Sequence, residues 1–235
     1  LMAGTAASQE HDSAHHTQKA ALKAQTTCPI RGKDIDKSVF ADYEGQRVYF
    51  CCKKCVAKFQ EFPDGVLYAM FTEGVAPENI QTTCPVSGER LESRDQFVQI
   101  LNKRVYTCCA KCLKKVESNP AAYFDKLEGR TTQTHCPIMG GEIEKEAFAI
   151  VQGQKVYYCC PGCDKKFKSD ADKYFASLAS KKIVTEAAMT MCPVMGDEKV
   201  DPKVFVTFKG RRINFCCADC IKPFAEDPQK YISKL

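Results

Sequence analysis

Four short runs interrupt an otherwise polar chain: Arg47-Val48-Tyr49-Phe50, Arg104-Val105-Tyr106-Thr107, Lys155-Val156-Tyr157-Tyr158 and Arg212-Ile213-Asn214-Phe215. They alternate loosely and are rich in β-formers, which predicts strands. Two residues ahead of each run stands Gly45, Asn102, Gly153 or Gly210, the residue types that tolerate the positive φ of a tight hairpin turn. Each run leads directly into a pair of cysteines, where a helix is expected to start. Four residues after the last cysteine comes an apolar position: Phe59, Val116, Phe167 or Phe224. A second short helix is predicted from Asn119-Pro120 and Asp227-Pro228, which read as N-cap followed by Pro at the first helical position. Asp170 holds the same offset, whereas Phe62-Pro63 breaks the rule. The pairs Tyr123/Phe124, Tyr174/Phe175 and Tyr231/Ile232, with Val66/Leu67, are expected to pack back on these elements. No apolar run approaches the ~18 residues of a membrane span.

The pattern recurs four times, and cysteine spacing makes the recurrence explicit. Each unit opens Cys-Pro-[Ile/Val]-x-Gly, at Cys28, Cys84, Cys136 and Cys192. Each continues after 22 or 23 residues into Cys-Cys-x-x-Cys: Cys51, Cys52, Cys55; Cys108, Cys109, Cys112; Cys159, Cys160, Cys163; Cys216, Cys217, Cys220. All 16 cysteines fall into these quartets. The expected fold is therefore α+β: four tandem small repeats, each a Cys knuckle and β-hairpin followed by one or two short helices around a four-Cys metal centre. The boundaries read 1–26 for a disordered N-terminal tail, then 27–70, 83–127, 135–178 and 191–235 for the repeats, with linkers at 71–83, 128–135 and 179–191. A unit of about 43 residues rarely folds on apolar burial alone, so a metal or disulfide staple is expected. The hydrophobic fraction of 44% includes the cysteines, so a large conventional core is not expected.

Charge and motifs exclude several classes. A net charge of +5 from well-mixed residues is too dispersed for a nucleic-acid footprint. There is no glycine-rich phosphate loop and no repeated catalytic constellation, so the chain is expected not to be an enzyme. His135 precedes one knuckle only and is read as incidental. Met139, Met191 and Met195 flank cysteines in units three and four, where they suit either copper handling or loop packing. His11, His15 and His16 sit in the polar tail, which is expected to be solvated. The opening Leu1-Met2-Ala3-Gly4-Thr5-Ala6-Ala7-Ser8 reads as the stub of a cleaved signal peptide or an expression scar. A periplasmic or cell-envelope location is the corresponding expectation.

The combination Cys-Pro-Val-x-Gly, hairpin, aromatic plus Cys-Cys-x-x-Cys, Phe, then Asp-Pro-x-x-Tyr resembles the TRASH/YHS domains. The resemblance implies small zinc-ribbon-like or treble-clef-like modules linked to heavy-metal sensing, trafficking and resistance. That pattern uses three cysteines, matching Cys28, Cys51 and Cys55 in unit one. This chain adds a fourth in every unit: Cys52, Cys109, Cys160 and Cys217. Three thiolates leave a position open for metal handover, and a fourth would tend to close it.

Four soft ligands select zinc, copper(I) or an iron–sulfur cluster. Adjacent cysteines diverge by about 100° in a helical turn and to opposite faces in a strand, which suits different corners of a cubane better than one small ion. Tyr49, Phe50, Tyr106, Tyr157, Tyr158 and Phe215 would shield such a cluster, and Lys53, Lys54, Lys111, Lys165 and Lys166 would offset its charge or form a solvated helix face. The reading placed first is one 4Fe-4S cluster per repeat, used for electron transfer or storage with a redox partner protein. The alternative is zinc or copper(I) held for sequestration, sensing or trafficking, with a metal donor or acceptor as partner. Disulfides are a third option in an exported chain.

Overall fold

The computed structural model describes residues 22–235; the three tail histidines lie outside the described residues. Helix and strand are almost evenly mixed, at 32% and 31%. Four antiparallel hairpins carry the architecture: Asp36–Tyr43 with Gln46–Phe50, Phe97–Ile100 with Lys103–Tyr106, Glu144–Val151 with Gln154–Tyr158, and Asp201–Phe208 with Arg211–Phe215. The returning strands alternate as read, with Val48, Val105, Val156 and Ile213 fully buried. Each hairpin is followed by two helical segments: Lys53–Glu61 and Pro63–Thr72, Ala110–Ser118 and Pro120–Glu128, Cys163–Ser169 and Ala171–Ser180, and in unit four a 3-10 turn Ala218–Cys220 leading into Ile221–Glu226 and Pro228–Ile232. Phe59, Val116, Phe167 and Phe224 are buried on these helices, as the spacing requires.

Several local expectations need amendment. At the hairpin turns Gly45, Gly153 and Gly210 do adopt positive φ, preceded by Glu44, Gln152 and Lys209 in the same region. In unit two the positive φ falls on Leu101, not on Asn102. Asn102 instead sends its side-chain amide to the carbonyls of Leu67 and Val75, 3.2 and 2.8 Å away in unit one. Asn119 and Asp227 cap their helices as predicted, accepting from Ala122 N and Lys230 N, while Asp170 makes no cap bond. The exception Phe62-Pro63 still starts a helix at Pro63. Phe62 replaces the capping side chain with a ring set edge-on to Phe208 and Phe224 of unit four, at centroid distances of 4.9 and 6.0 Å.

The stretches read as linkers also form strands. Val75–Ala76 pairs in parallel with Lys23–Ala24, within the stretch assigned to the tail, and Ile183–Val184 does the same with Thr131–Thr132. Glu78–Asn79 and Glu186–Ala187 add third strands to the hairpins of units one and three. The core is shared as well. Phe205 of unit four lies among Val98, Val105, Val116 and Phe124 of unit two, and Phe62, Tyr68 and Leu101 pack on the core of unit four. The units therefore do not rest on their sulfur centres alone: apolar surface too small to stabilise one unit is pooled between units.

Candidate metal centres

Each centre begins with a knuckle set by local hydrogen bonds. In unit one Cys28 N donates to Lys33 O at 2.7 Å, and Gly32 N donates to Cys28 O at 2.8 Å. Gly32 closes this turn at φ 66°, with nothing within 4 Å of where a Cβ would stand. The glycine is therefore demanded by backbone conformation rather than by space. The same two bonds recur at Cys84, Cys136 and Cys192.

A glutamine three residues before the knuckle ties it to the hairpin. Gln81 donates to Tyr106 O at 2.6 Å and to Thr83 O at 2.9 Å, and accepts from Tyr106 N at 2.9 Å. Gln25 and Gln133 make the same exchange with Tyr49 and Tyr157. In unit four Met189 stands in this place and its sulfur accepts from Asn214 N at 3.2 Å. These clamps were not anticipated, although Gln-Thr precedes three of the four knuckles in plain view.

The clamp brings three cysteines of every quartet together. Cys28, Cys51 and Cys55 place their sulfurs within 4.8 Å of one another, as do Cys84, Cys108 and Cys112, Cys136, Cys159 and Cys163, and Cys192, Cys216 and Cys220. The first and last of each trio are buried, and the middle one is half-buried. The second cysteine of each pair stands beside the trio. Cys52, Cys109 and Cys217 are extended N-cap residues at the mouth of the helical turn, and Cys109, Cys160 and Cys217 are exposed. These sulfurs still touch the last ligand: Cys52 to Cys55 at 3.6 Å, Cys160 to Cys163 at 3.4 Å, Cys217 to Cys220 at 3.8 Å. Within the trios, Cys51–Cys55, Cys108–Cys112 and Cys216–Cys220 are 3.8, 3.7 and 3.6 Å apart. All 16 are free thiols, separated by far more than the ~2.05 Å of a disulfide bond.

The trio is electrostatically graded. Burial alone would push the first thiol up, but backbone amides aimed at its sulfur outweigh burial and bring it down. In unit one these are the amides of Cys51, Ile30 and Arg31. Their counterparts act on Cys136 and Cys192, and on Cys84, which falls to about 6. Cys55, Cys112 and Cys163 are instead pushed up by burial to about 12. Cys52 lies at about 7, lowered by hydrogen bonds from the amide and thiol of Cys55. Metal binding must displace protons from such sites, so loading is pH-dependent.

Phe50, Tyr106, Tyr158 and Phe215 are buried near the centres, whereas Tyr49 and Tyr157 are only half-buried. Lys53, Lys54, Lys111, Lys165 and Lys166 are exposed, and His135 lies outside the trios, bonded to Thr134. A cavity of about 1170 Å³ opens between units one, three and four, with Phe62, Tyr68, Arg130 and Thr207 in its wall and no cysteine. No helix among the described residues is long and apolar enough to cross a membrane. The chain matches no family model, no curated protein and no solved structure.

Proposed function

We propose that the chain is a non-enzymatic soft-metal protein of the TRASH/YHS kind, in which each trio holds one zinc or copper(I) ion for sequestration, sensing or trafficking. The sulfur separations carry this reading. Four thiolates at the usual zinc–sulfur length of ~2.3 Å form a tetrahedron with edges of about 3.8 Å. The three sulfurs of each trio lie within 4.8 Å of one another, and the shortest sulfur contacts in the quartets run from 3.4 to 3.9 Å. A cubane spreads its thiolates over four separate irons and requires a wider set. The adjacent-cysteine argument for a cluster also weakens, because the extended N-cap backbone of Cys52 turns its sulfur toward Cys55. In this reading the trio supplies the firm ligands and the second cysteine of the pair supplies a fourth, accessible one. Partners are metal donors and acceptors.

Elemental analysis and a visible spectrum of the anaerobically purified protein test the reading. About one zinc or copper per trio and no visible band are expected. Iron with acid-labile sulfide and a broad visible band would overturn it in favour of electron-transfer clusters. Cys28→Ser is expected to remove one ion of four, and Cys52→Ser to weaken that ion's retention while the other three centres stay filled.

A further inference from the structure

The residue three places after the first cysteine distinguishes the centres. It is Arg31 in unit one, Ser87 in unit two, Met139 in unit three and Met195 in unit four. Its backbone lies against the ligand sulfur in every case. The amides of Arg31, Ser87, Met139 and Met195 donate to the thiols of Cys28, Cys84, Cys136 and Cys192. In unit two its side chain also reaches the trio: the hydroxyl of Ser87 is 3.4 Å from the sulfur of Cys108.

Loop packing does not account for the methionines at this place. Met139 is 69% exposed and Met195 56% exposed, although Met is ordinarily among the buried residue types. By contrast, Met70 is buried in the core of unit one, and the sulfur of Met189 accepts a backbone hydrogen bond. The side chains of Met139 and Met195 therefore face solvent, on residues whose backbone amides reach the first thiol of a trio. The second cysteine of each pair in these units, Cys160 and Cys217, is exposed as well.

We infer that centres three and four are the copper(I)-exchange sites of the protein, with Met139 and Met195 as accessory thioether donors that meet the ion as it enters or leaves. The inference rests on the mononuclear soft-metal reading above and adds an ion and a direction to it. A neutral, polarisable thioether binds copper(I) and has little affinity for zinc beside thiolates. Centres one and two lack the donor. Arg31 brings a positive charge, and Ser87, hydrogen-bonded to Glu89 at 3.2 Å, brings hard oxygen. The four centres are thus unequal: two are built to retain an ion and two to pass a copper(I) ion on.

The test is methyl NMR on the full chain labelled at the methionine methyls, titrated anaerobically with copper(I) and, separately, with zinc, while free thiols are counted. The Met139 and Met195 methyl signals are expected to shift with copper(I) and to stay in place with zinc. The Met70 methyl should move with neither. In exchange with a copper(I) chelator, the Met139→Leu/Met195→Leu double variant should pass copper to the chelator from two of its four centres about tenfold more slowly, the lower end of what partners around a ligand are worth in affinity or activity. Both positions are exposed, so Leu leaves folding intact. Ser87→Met should speed the exchange of copper(I) at centre two. If copper(I) protects the thiols while both methyls stay unmoved, the inference is overturned and the metal reading stands. If neither metal protects any thiol, the metal reading itself fails and takes the inference with it.

Discussion

Lys103 and Arg211 occupy the same place in units two and four, one residue past the hairpin turn, and each reaches back into the preceding unit. Lys103 meets Glu44 at 2.6 Å and Asp64 at 2.7 Å. Arg211 meets Gln152 at 2.7 Å, and also Asp172. Glu44 and Gln152, like Asp64 and Asp172, hold equivalent positions in units one and three. The two junctions are thus one design at the backbone and differ in their charges. Glu44 and Asp64 are fully buried with Lys103, and Arg130 adds a second cation on Glu44. Asp172 is 58% exposed, so Arg211 is the one charge of its junction that is fully removed from water. A dry ion network is sensitive to the loss of any member. A half-open pair is screened and forgiving.

The difference sets the size of the responses expected. Lys103→Met leaves buried Asp64 without a cation and Glu44 with Arg130 alone, and should cost about 3–5 kcal/mol in chemical denaturation. Arg211→Met leaves no buried carboxylate behind and should cost about 1 kcal/mol or less. Equal losses would remove the distinction between the junctions.

Acid should separate them further. Burial opposes ionisation of Glu44, but Lys103 and Arg130 overcome it and hold its carboxyl at about 2, below its ordinary 4.5. A depressed folded value means stability that is present above pH 4.5 and lost as the pH falls toward 2. Asp64 is pushed up by burial; its ionised form costs stability at neutral pH, and acid relieves that cost. The wild-type chain should therefore lose stability more steeply between pH 4.5 and 2 than Glu44→Gln. Both carry the same thiols, so release of metal by acid cancels in the comparison. Parallel acid limbs would count against the network.

The smallest effect tests what the junctions share. Gln46 and Gln154, buried at equivalent positions, donate to Arg104 O at 2.9 Å and Arg212 O at 2.8 Å. Alanine at Gln154 should cost about 1–2 kcal/mol by leaving both the carbonyl and the amide of Arg212 without their side-chain partner; alanine at Gln46 should cost less, because Asn79 also donates to Arg104 O, at 3.0 Å. Equal losses in chemical denaturation would show that Asn79 does not back up the glutamine in the first junction.

How much of this was legible follows the range of the interactions. The knuckle, the hairpin turn and the entry to the first helix are held by bonds spanning a few residues, so Cys-Pro-x-x-Gly and Cys-Cys-x-x-Cys announce them. Asn102 was read for its backbone and proved to act through its side chain. Phe62 looked like a flawed cap because its ring partners, Phe208 and Phe224, lie far along the chain. Glu44, Asp64 and Lys103 look like ordinary surface charges in a polar stretch. Their ionic partners lie 39 to 86 residues away, a distance at which residue patterning carries no signal.

The sequence by itself determined the sulfur donor sets, the four hairpins and the order of the elements, because local hydrogen bonds and β- and helix-forming residues act before any unit meets another. Only the tertiary structure decided which sulfurs converge and which stands at the rim, how linkers became strands, and which of the equivalent residues past each turn became the centre of a dry ion network. Those outcomes depend on which surfaces are buried together. Burial is a property of the assembled chain, since the same carboxylate is cheap in water and needs a partner once water is excluded.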